Sequence, residues 1–269
     1  MIRLRSVQLP PTAITNLQNW QQLVDKKTSY EDQVAAAKVD FAKRNKKSNK
    51  TFQMVKAALV KMCSGARRCV YCEDSFADEV EHIKPKDLYP AEAFSWSNYV
   101  YACGPCNGPK NNQFAVISAT NSMLVNVTRA PKSPVVPPEA GEPALINPRW
   151  ENALKFIELD LVDTFFFLPT KKVGTKDYQR AEYTSEVLRL NDREALRVAR
   201  KEAYDSYVAR LDQYIRRRDA GSSKKELGRL VRALKRMQHP TVWKEIKRQY
   251  PYISELNALF VQAPEAKKW

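Results

Sequence analysis

Residues 69 to 114 read CVYCEDSFADEVEHIKPKDLYPAEAFSWSNYVYACGPCNGPKNNQF, and the fold turns on how this stretch is read. It opens with Cys69-Val70-Tyr71-Cys72 and closes on Cys103-Gly104-Pro105-Cys106, two CxxC pairs. Each short spacing lets both thiolates of a pair meet one ion from a tight turn, and four such sulfurs satisfy a tetrahedral zinc. With every coordination position taken by protein, that ion is expected to be structural and not catalytic. The segment from Glu73 to Ala102 exceeds the usual zinc-ribbon gap, so the metal closes a loop that itself contains structure. Gly104 fits a knuckle turn in which backbone N–H groups point at sulfur. A redox dithiol is the competing reading, and the matching of two pairs weighs against it. Cys63 is left over, on the apolar face of an expected helix, and reads as ordinary core.

Only two histidines occur, and His82 sits in EVEHIKPK inside the loop that the zinc would close. Neutral imidazole, with an ordinary pKa of about 6.5, suits a general base that takes a proton from water. Glu81 precedes it. Neighbouring side chains on an extended strand point to opposite sides, so both serve one site only if the strand ends or bends, and the Ile83 to Pro85 stretch is the expected bend. The second histidine, His239, is followed by Pro240 and reads as a capping or surface residue.

Taken with Asn98 in FSWSNYVYAC and Asn107 in CGPCNGPKNNQF, these residues resemble the HNH nuclease family in its HNN variant, within the subgroup that carries CxxC pairs. The resemblance implies a ββα-metal arrangement of two antiparallel strands and a helix. It implies His82 as general base, Glu81 and Asn107 as ligands of a catalytic divalent ion, and Asn98 as the brace of the His82 loop. Lys110 stands where the family often has a lysine, and with Lys84 and Lys86 it makes up the expected substrate-binding set. Glu81 departs from the commoner Asp by one methylene, so Asn107 is the firmer ligand. The chemistry stands apart from the name: phosphodiester hydrolysis needs an activated water, charge stabilisation on the phosphoryl oxygens and help for the leaving oxygen. His82 supplies the first, and a hard ion on oxygen ligands, Mg²⁺ or Mn²⁺, supplies the others.

A narrower similarity runs from about Cys69 to Arg200, strong over the nuclease motif and weak beyond it. It takes in an INP segment at Ile146 to Pro148 and the string RAEYTSEVLRLNDREALRVAR, and it points to the HNH subunit of Septu and retron-associated antiphage systems. Members of that family work beside an ATPase subunit. No GxxxxGK[ST] phosphate loop occurs here, so the ATPase is expected in trans, as part of a hetero-oligomer. Tyr89 and Trp96, shared with that family, either stack on a base or belong to the core, and core is the commoner use of such aromatics.

Charge agrees with a nucleic-acid partner. The 269-residue chain sets 45 Lys and Arg against 30 Asp and Glu, a formal +15, on an otherwise ordinary globular composition with 43% hydrophobic residues. Neutralising phosphates releases counterions, so a broadly basic protein gains affinity without reading sequence. The start, MIRLRSVQLPPT, contains no signal-like apolar run, and no stretch nears the about 18 apolar residues of a membrane span. A cytoplasmic protein is therefore expected, whose five cysteines stay reduced and call for a metal. DNA is the leading substrate. The alternatives are an RNase of the same chemistry, since only the binding groove senses a 2′-OH, and a zinc-organised binding module without catalysis.

Outside the motif the spacing predicts helices over Tyr30 to Lys43, after Thr28 and Ser29, and over Phe52 to Cys63, after Thr51 and stopped by Gly65. The basic run KRNKKSNK between them reads as a solvated loop. Five prolines between Ala130 and Ala144 predict an extended connection. Leu154 to Leu159 and Thr164 to Leu168 are expected to pair as a hairpin. Asn191 with Glu194, and Ser223 with Glu226, read as capping boxes ahead of helices that carry Leu196 to Ile215 and Leu227 to Met237, the first stopping at Gly221. A third helix is expected from Val242 to Tyr250. The expected organisation is a helical support over 1–66, the nuclease core with its zinc site over 67–118, a Pro-rich linker over 119–147 and a mainly helical region over 148–269. The fold class is mainly α, with a small ββα-metal (HNH) nuclease core stabilised by a four-cysteine zinc site.

Overall fold

Three helices come first in the computed structural model, which describes Met1 and residues 3–269: α1 (Pro11–Asp25), α2 (Tyr30–Arg44) and α3 (Lys50–Met62). Ser29 caps α2, accepting from the Asp32 N–H at 3.0 Å. Asn49 and not Thr51 caps α3, its Oδ1 accepting from Phe52 N at 3.1 Å, while Thr51 lies inside the helix and accepts from Asn16 Nδ2 at 2.9 Å. Helix α1 is not among the helices expected from spacing, although Pro11 sits at its favoured first position and Ala13, Leu17 and Val24 bury one stripe. Gly65 lies beyond the end of α3 at φ +58°, and a Cβ there would meet the Arg236 carbonyl oxygen at 2.9 Å. The backbone of the C-terminal region thus presses on this turn.

The HNH segment forms β1 (Glu79–His82), β2 (Tyr99–Ala102) and α4 (Gly104–Lys110). The strands run antiparallel with Glu79 opposite Ala102 and His82 opposite Tyr99. Next come β3 (Ala115–Ser118), β4 (Leu124–Asn126) and β5 (Gly141–Pro143), a three-stranded sheet with β3 in the middle. The proline-rich stretch forms no helix, turns at Pro131 and Lys132, where Ser133 N donates to Ala130 O at 3.1 Å, and ends by pairing Val116 with Pro143 and Ser118 with Gly141. Strands β6 (Ile157–Leu159) and β7 (Phe167–Pro169) form the expected hairpin, Leu159 facing Phe167.

Five helices complete the chain: α5 (Lys176–Val187), α6 (Glu194–Asp219), α7 (Lys224–Lys235), α8 (Pro240–Gln249) and α9 (Ser254–Gln262). Ser223 and Glu226 make the full capping box on α7. The other expected box is absent. Arg193 occupies the cap position of α6, and Asn191 instead bonds the β7 backbone, its Oδ1 accepting from Phe167 N and its Nδ2 donating to Phe167 O, both at 2.8 Å. A side chain that matches a neighbouring strand in both directions satisfies two backbone groups there, against one at a helix end. The fold is mainly helical with small sheets, and one continuous apolar core runs from α1 through the four-cysteine segment to α9. No helix among the described residues is long and apolar enough to cross a membrane.

Candidate active site and metal centre

The two knuckles form where the chain turns on either side of the β1–β2 pair. In the first, Glu73 N donates to Cys69 O at 2.9 Å, with Glu73 itself in the left-handed region at φ +63°. In the second, Cys103 precedes α4, and Cys106 N donates back to Cys103 O at 3.0 Å. Gly104 has no left-handed φ. It is the first residue of α4, and a Cβ there would stand 3.4 Å from Glu79 Oε1, an ordinary contact. The left-handed residue is Glu73, at the first knuckle, and the second knuckle forms without the glycine conformation expected of Gly104.

Cys69, Cys72, Cys103 and Cys106 are all buried and unpaired, and their sulfurs lie within 4.8 Å of one another. A tetrahedron with Zn–S bonds of about 2.3 Å has sulfur–sulfur edges of about 3.8 Å. Cys72 and Cys103 are 3.8 Å apart, so the donors fit zinc in type and spacing. Burial pushes the Cys69 thiol up while contact with Cys103 pulls the Cys72 thiol down. Sulfurs this crowded ionise together only around a cation. No other cluster of this kind occurs among the described residues. Cys63 stands apart, buried at the end of α3, with its thiol donating to Leu59 O and pushed up by burial to about 11.

Strand β1 divides the remaining candidates between its faces. Glu79 and Glu81 point toward α4, where Asn107 Nδ2 donates to Glu79 Oε2 at 2.5 Å and Lys110 forms an ion pair with Glu81. Lys110 is fully buried and also donates to His82 O at 2.9 Å. Burial pushes the Glu81 carboxyl up, with Lys110 and Lys86 opposing it. The structure therefore sets Asn107 beside Glu79, a residue given no role on sequence grounds, and leaves Glu81 to Lys110. Strand alternation was the available signal: Glu79 and Glu81 share a face.

His82 points the other way. Its ring lies 4.4 Å from that of Phe41 and 5.1 Å from that of Tyr99, centroid to centroid, and is 4% exposed. The expected bend follows His82 and does not separate it from Glu81, so the two side chains remain on opposite faces. Nε2 lies 2.8 Å from Ala93 O. A carbonyl only accepts, so Nε2 carries the proton and Nδ1 keeps the lone pair. Burial, with Lys86 and Lys110 adding to it, pushes this imidazole down to about 3 and keeps it neutral at pH 7.

Asn98 ties the loop that follows. Its Oδ1 accepts from Lys84 N at 2.8 Å, and its Nδ2 donates to Lys84 O at 2.9 Å and Glu92 O at 3.0 Å. Of the three lysines expected to meet substrate, Lys84 pairs with Glu92 at 2.5 Å and Lys110 is buried. Lys86 makes no ion pair among the described residues, and its ammonium sits 5.2 Å over the Phe41 ring. Both shared aromatics are packed: Trp96 donates to Val7 O with Arg149 over its ring at 4.5 Å, and Tyr89 meets Phe114 edge-on. His239 is 2% exposed at the start of α8, with Nε2 3.4 Å from Asp74 Oδ1. Arg193 was also unforeseen, and its Nη2 donates to Cys106 Sγ at 3.2 Å. Nothing local in the sequence marks a contact between residues so far apart.

Comparison with known proteins places a family on this site. Residues 69–113 match the HNH endonuclease family. Over 61 residues the chain is 43% identical to the Septu protein PtuB of Bacillus thuringiensis, a match that covers 21% of this chain and 23% of that protein. The chain thus carries an HNH endonuclease domain built on a ββα unit and a four-cysteine cluster.

Proposed function

We propose that this protein is a metal-dependent HNH endonuclease that hydrolyses phosphodiester bonds of DNA, acting in antiphage defence beside an ATPase subunit supplied in trans. The observation that carries the reading is the HNH match across 69–113, which falls on the segment where the ββα unit, the cysteine cluster and a neutral, tautomer-fixed His82 coincide. The likeness to PtuB over part of the chain supports the defence context.

His82 takes the proton of the attacking water at Nδ1, and its bond to the Ala93 carbonyl holds the ring in place as the charge develops. Asn98 fixes the loop from Lys84 to Glu92, the residue that precedes Ala93. Glu79, Glu81 and Asn107 offer, on the face of β1 opposite His82, the oxygen donors that a hard divalent ion would take, with Glu81 and Asn107 as its holders; because His82 is the last residue of β1, ion and base would share a substrate that lies across the end of the strand. Such an ion, Mg²⁺ or Mn²⁺, supplies charge stabilisation at the phosphoryl and leaving oxygens when bound. Lys86 meets the phosphate backbone, and Lys110 orients Glu81 from within. The test is incubation of the purified protein, with and without the ATPase subunit, with plasmid, single-stranded DNA and total RNA in Mg²⁺ or Mn²⁺. Nicked or linear plasmid is the expected product. Cleavage of RNA alone would move the substrate to RNA, and no cleavage under any condition would leave a zinc-organised binding module.

A further inference from the structure

We propose that the zinc cluster is the joint that fastens the C-terminal helices to the nuclease core, with Arg193 as the positioning residue that couples metal to helix. The inference rests on the four cysteines holding zinc and is independent of the nuclease reading.

Three residues flanking or forming the knuckles reach across to α6 and α8. Glu73, next to Cys72, accepts from Thr241 N at 2.9 Å and Thr241 Oγ1 at 2.8 Å. It thereby caps the N-terminus of α8 from outside, where the helix's own cap residue, His239, offers no side-chain bond. Asp74 faces His239 at 3.4 Å. Cys106 itself accepts from Arg193 Nη2, whose guanidinium also donates to Leu188 O at 3.3 Å and, through Nε, to Arg189 O at 3.0 Å. Arg193 is therefore fixed on one side by the turn entering α6 and on the other by a metal-ligating sulfur.

Charge gives the coupling its direction. Four thiolates around a divalent cation leave the cluster formally dianionic, and buried charge requires a partner. Arg193 supplies one. Arg200, 1% exposed on α6, lies within electrostatic range of Glu73 and Cys72. With zinc in place the dianion and the Glu73 carboxylate are balanced by Arg193, Arg200 and the Met1 ammonium, which lies 3.2 Å from Glu73 Oε1. Without the metal nothing holds the four sulfurs in one cluster, so the Cys106 end of the Arg193 bridge and the Glu73 cap beside Cys72 lose their anchor, and losing the metal loosens α6 and α8 as well as the knuckles.

Amide hydrogen exchange on the full chain, zinc-loaded and then stripped with a chelator, reads this directly. The expected result is faster exchange after stripping at the starts of α6 and α8 together with residues 69–106, while α1 to α3 stay protected. Exchange confined to 69–106, or rising equally in α1 to α3, would overturn the joint. In parallel, Arg193→Met should release zinc to a colorimetric chelator about 10-fold faster or more, the usual scale for losing an outer partner of a metal ligand, with Arg193→Lys in between. Release at the parent rate would also overturn it. Should Arg193→Met fail to fold, Arg193→Lys carries the release measurement and the exchange arm needs no variant. Metal analysis of the purified protein separates the premise from the inference: absence of zinc removes both, whereas zinc without coupling removes only the joint.

Discussion

Asn107 Nδ2 donates to Glu79 Oε2 at 2.5 Å, one strand repeat away from the carboxylate of Glu81. The two contacts form rungs between β1 and α4: residues 79 and 81 share a face of the strand, residues 107 and 110 share a face of the helix, and each carboxylate meets one helix side chain. Glu79 therefore sets how the Asn107 amide is turned, and its oxygen is a proposed ion ligand. Glu79→Ala should raise the Mg²⁺ concentration needed for half-maximal cleavage several-fold, with zinc content unchanged. Glu79→Gln still accepts from Nδ2 and should shift it less. An unaltered Mg²⁺ titration in Glu79→Ala would mean that this contact has no part in ion binding.

Lys110 and Glu81 form an ion pair with almost no exposure on either side. Removing one partner leaves a buried charge uncompensated, which costs about 3–5 kcal/mol. Lys110→Met should therefore lower unfolding stability by that order, while Lys110→Met combined with Glu81→Leu recovers much of the loss. Urea unfolding of the two variants against the parent gives the answer, and a fully stable Lys110→Met would remove Lys110 from the core of the site.

The His82 imidazole is held down to about 3 against an ordinary 6.5. Between those values the unfolded chain binds a proton that the native protein does not. His82 thus contributes stability that is complete above about pH 6.5 and is lost as pH falls toward 3, with a slope approaching 1.4 kcal/mol per pH unit. The role of a base, taken alone, suggests that His82→Ala leaves the fold intact. Its burial against Phe41 and Tyr99 means that alanine opens a cavity, so glutamine, which still donates to Ala93 O, is the better variant. His82→Gln should abolish cleavage and flatten the fall in urea midpoint between pH 6.5 and 4. A midpoint that declines as steeply as in the parent would show that another group titrates there.

The cysteine cluster was legible because CxxC spacing is a local constraint, and so were the helices whose caps and apolar stripes lie close in sequence. The partners of the site residues were not. The family resemblance could imply Glu81 and Asn107 as ligands of one ion but could not say that Glu79 would take the amide and Lys110 the second carboxylate, since that depends on the register of α4 against β1. Asn191 shows the same limit: its pattern with Glu194 is that of a cap, and a strand backbone competes successfully with the helix end for its amide. Contacts such as Arg193 to Cys106 and Glu73 to Thr241 join distant segments and exist only once the chain has folded.

Helix α7 offers the last prediction. Only Leu234 is buried on it, while Leu227, Leu230 and Val231 are half-buried, so its packing leaves a broad face open. Arg229, Arg232 and Arg236 are exposed and make no ion pair among the described residues. Uncompensated charge on a free helix face suits a phosphate backbone, or an acidic surface of the proposed ATPase partner, better than it suits the core. Charge reversal of all three to Glu should leave thermal stability nearly unchanged, because none touches a buried partner. Each phosphate contact contributes about 0.9 to the slope of log affinity against log salt for duplex DNA, so loss of the patch should flatten that slope by roughly 1 to 3. Weaker binding to the proposed ATPase partner with an unchanged DNA slope would assign the face to that protein instead. Unchanged affinity for both would leave α7 as scaffold, its leucines merely closing the edge of α6.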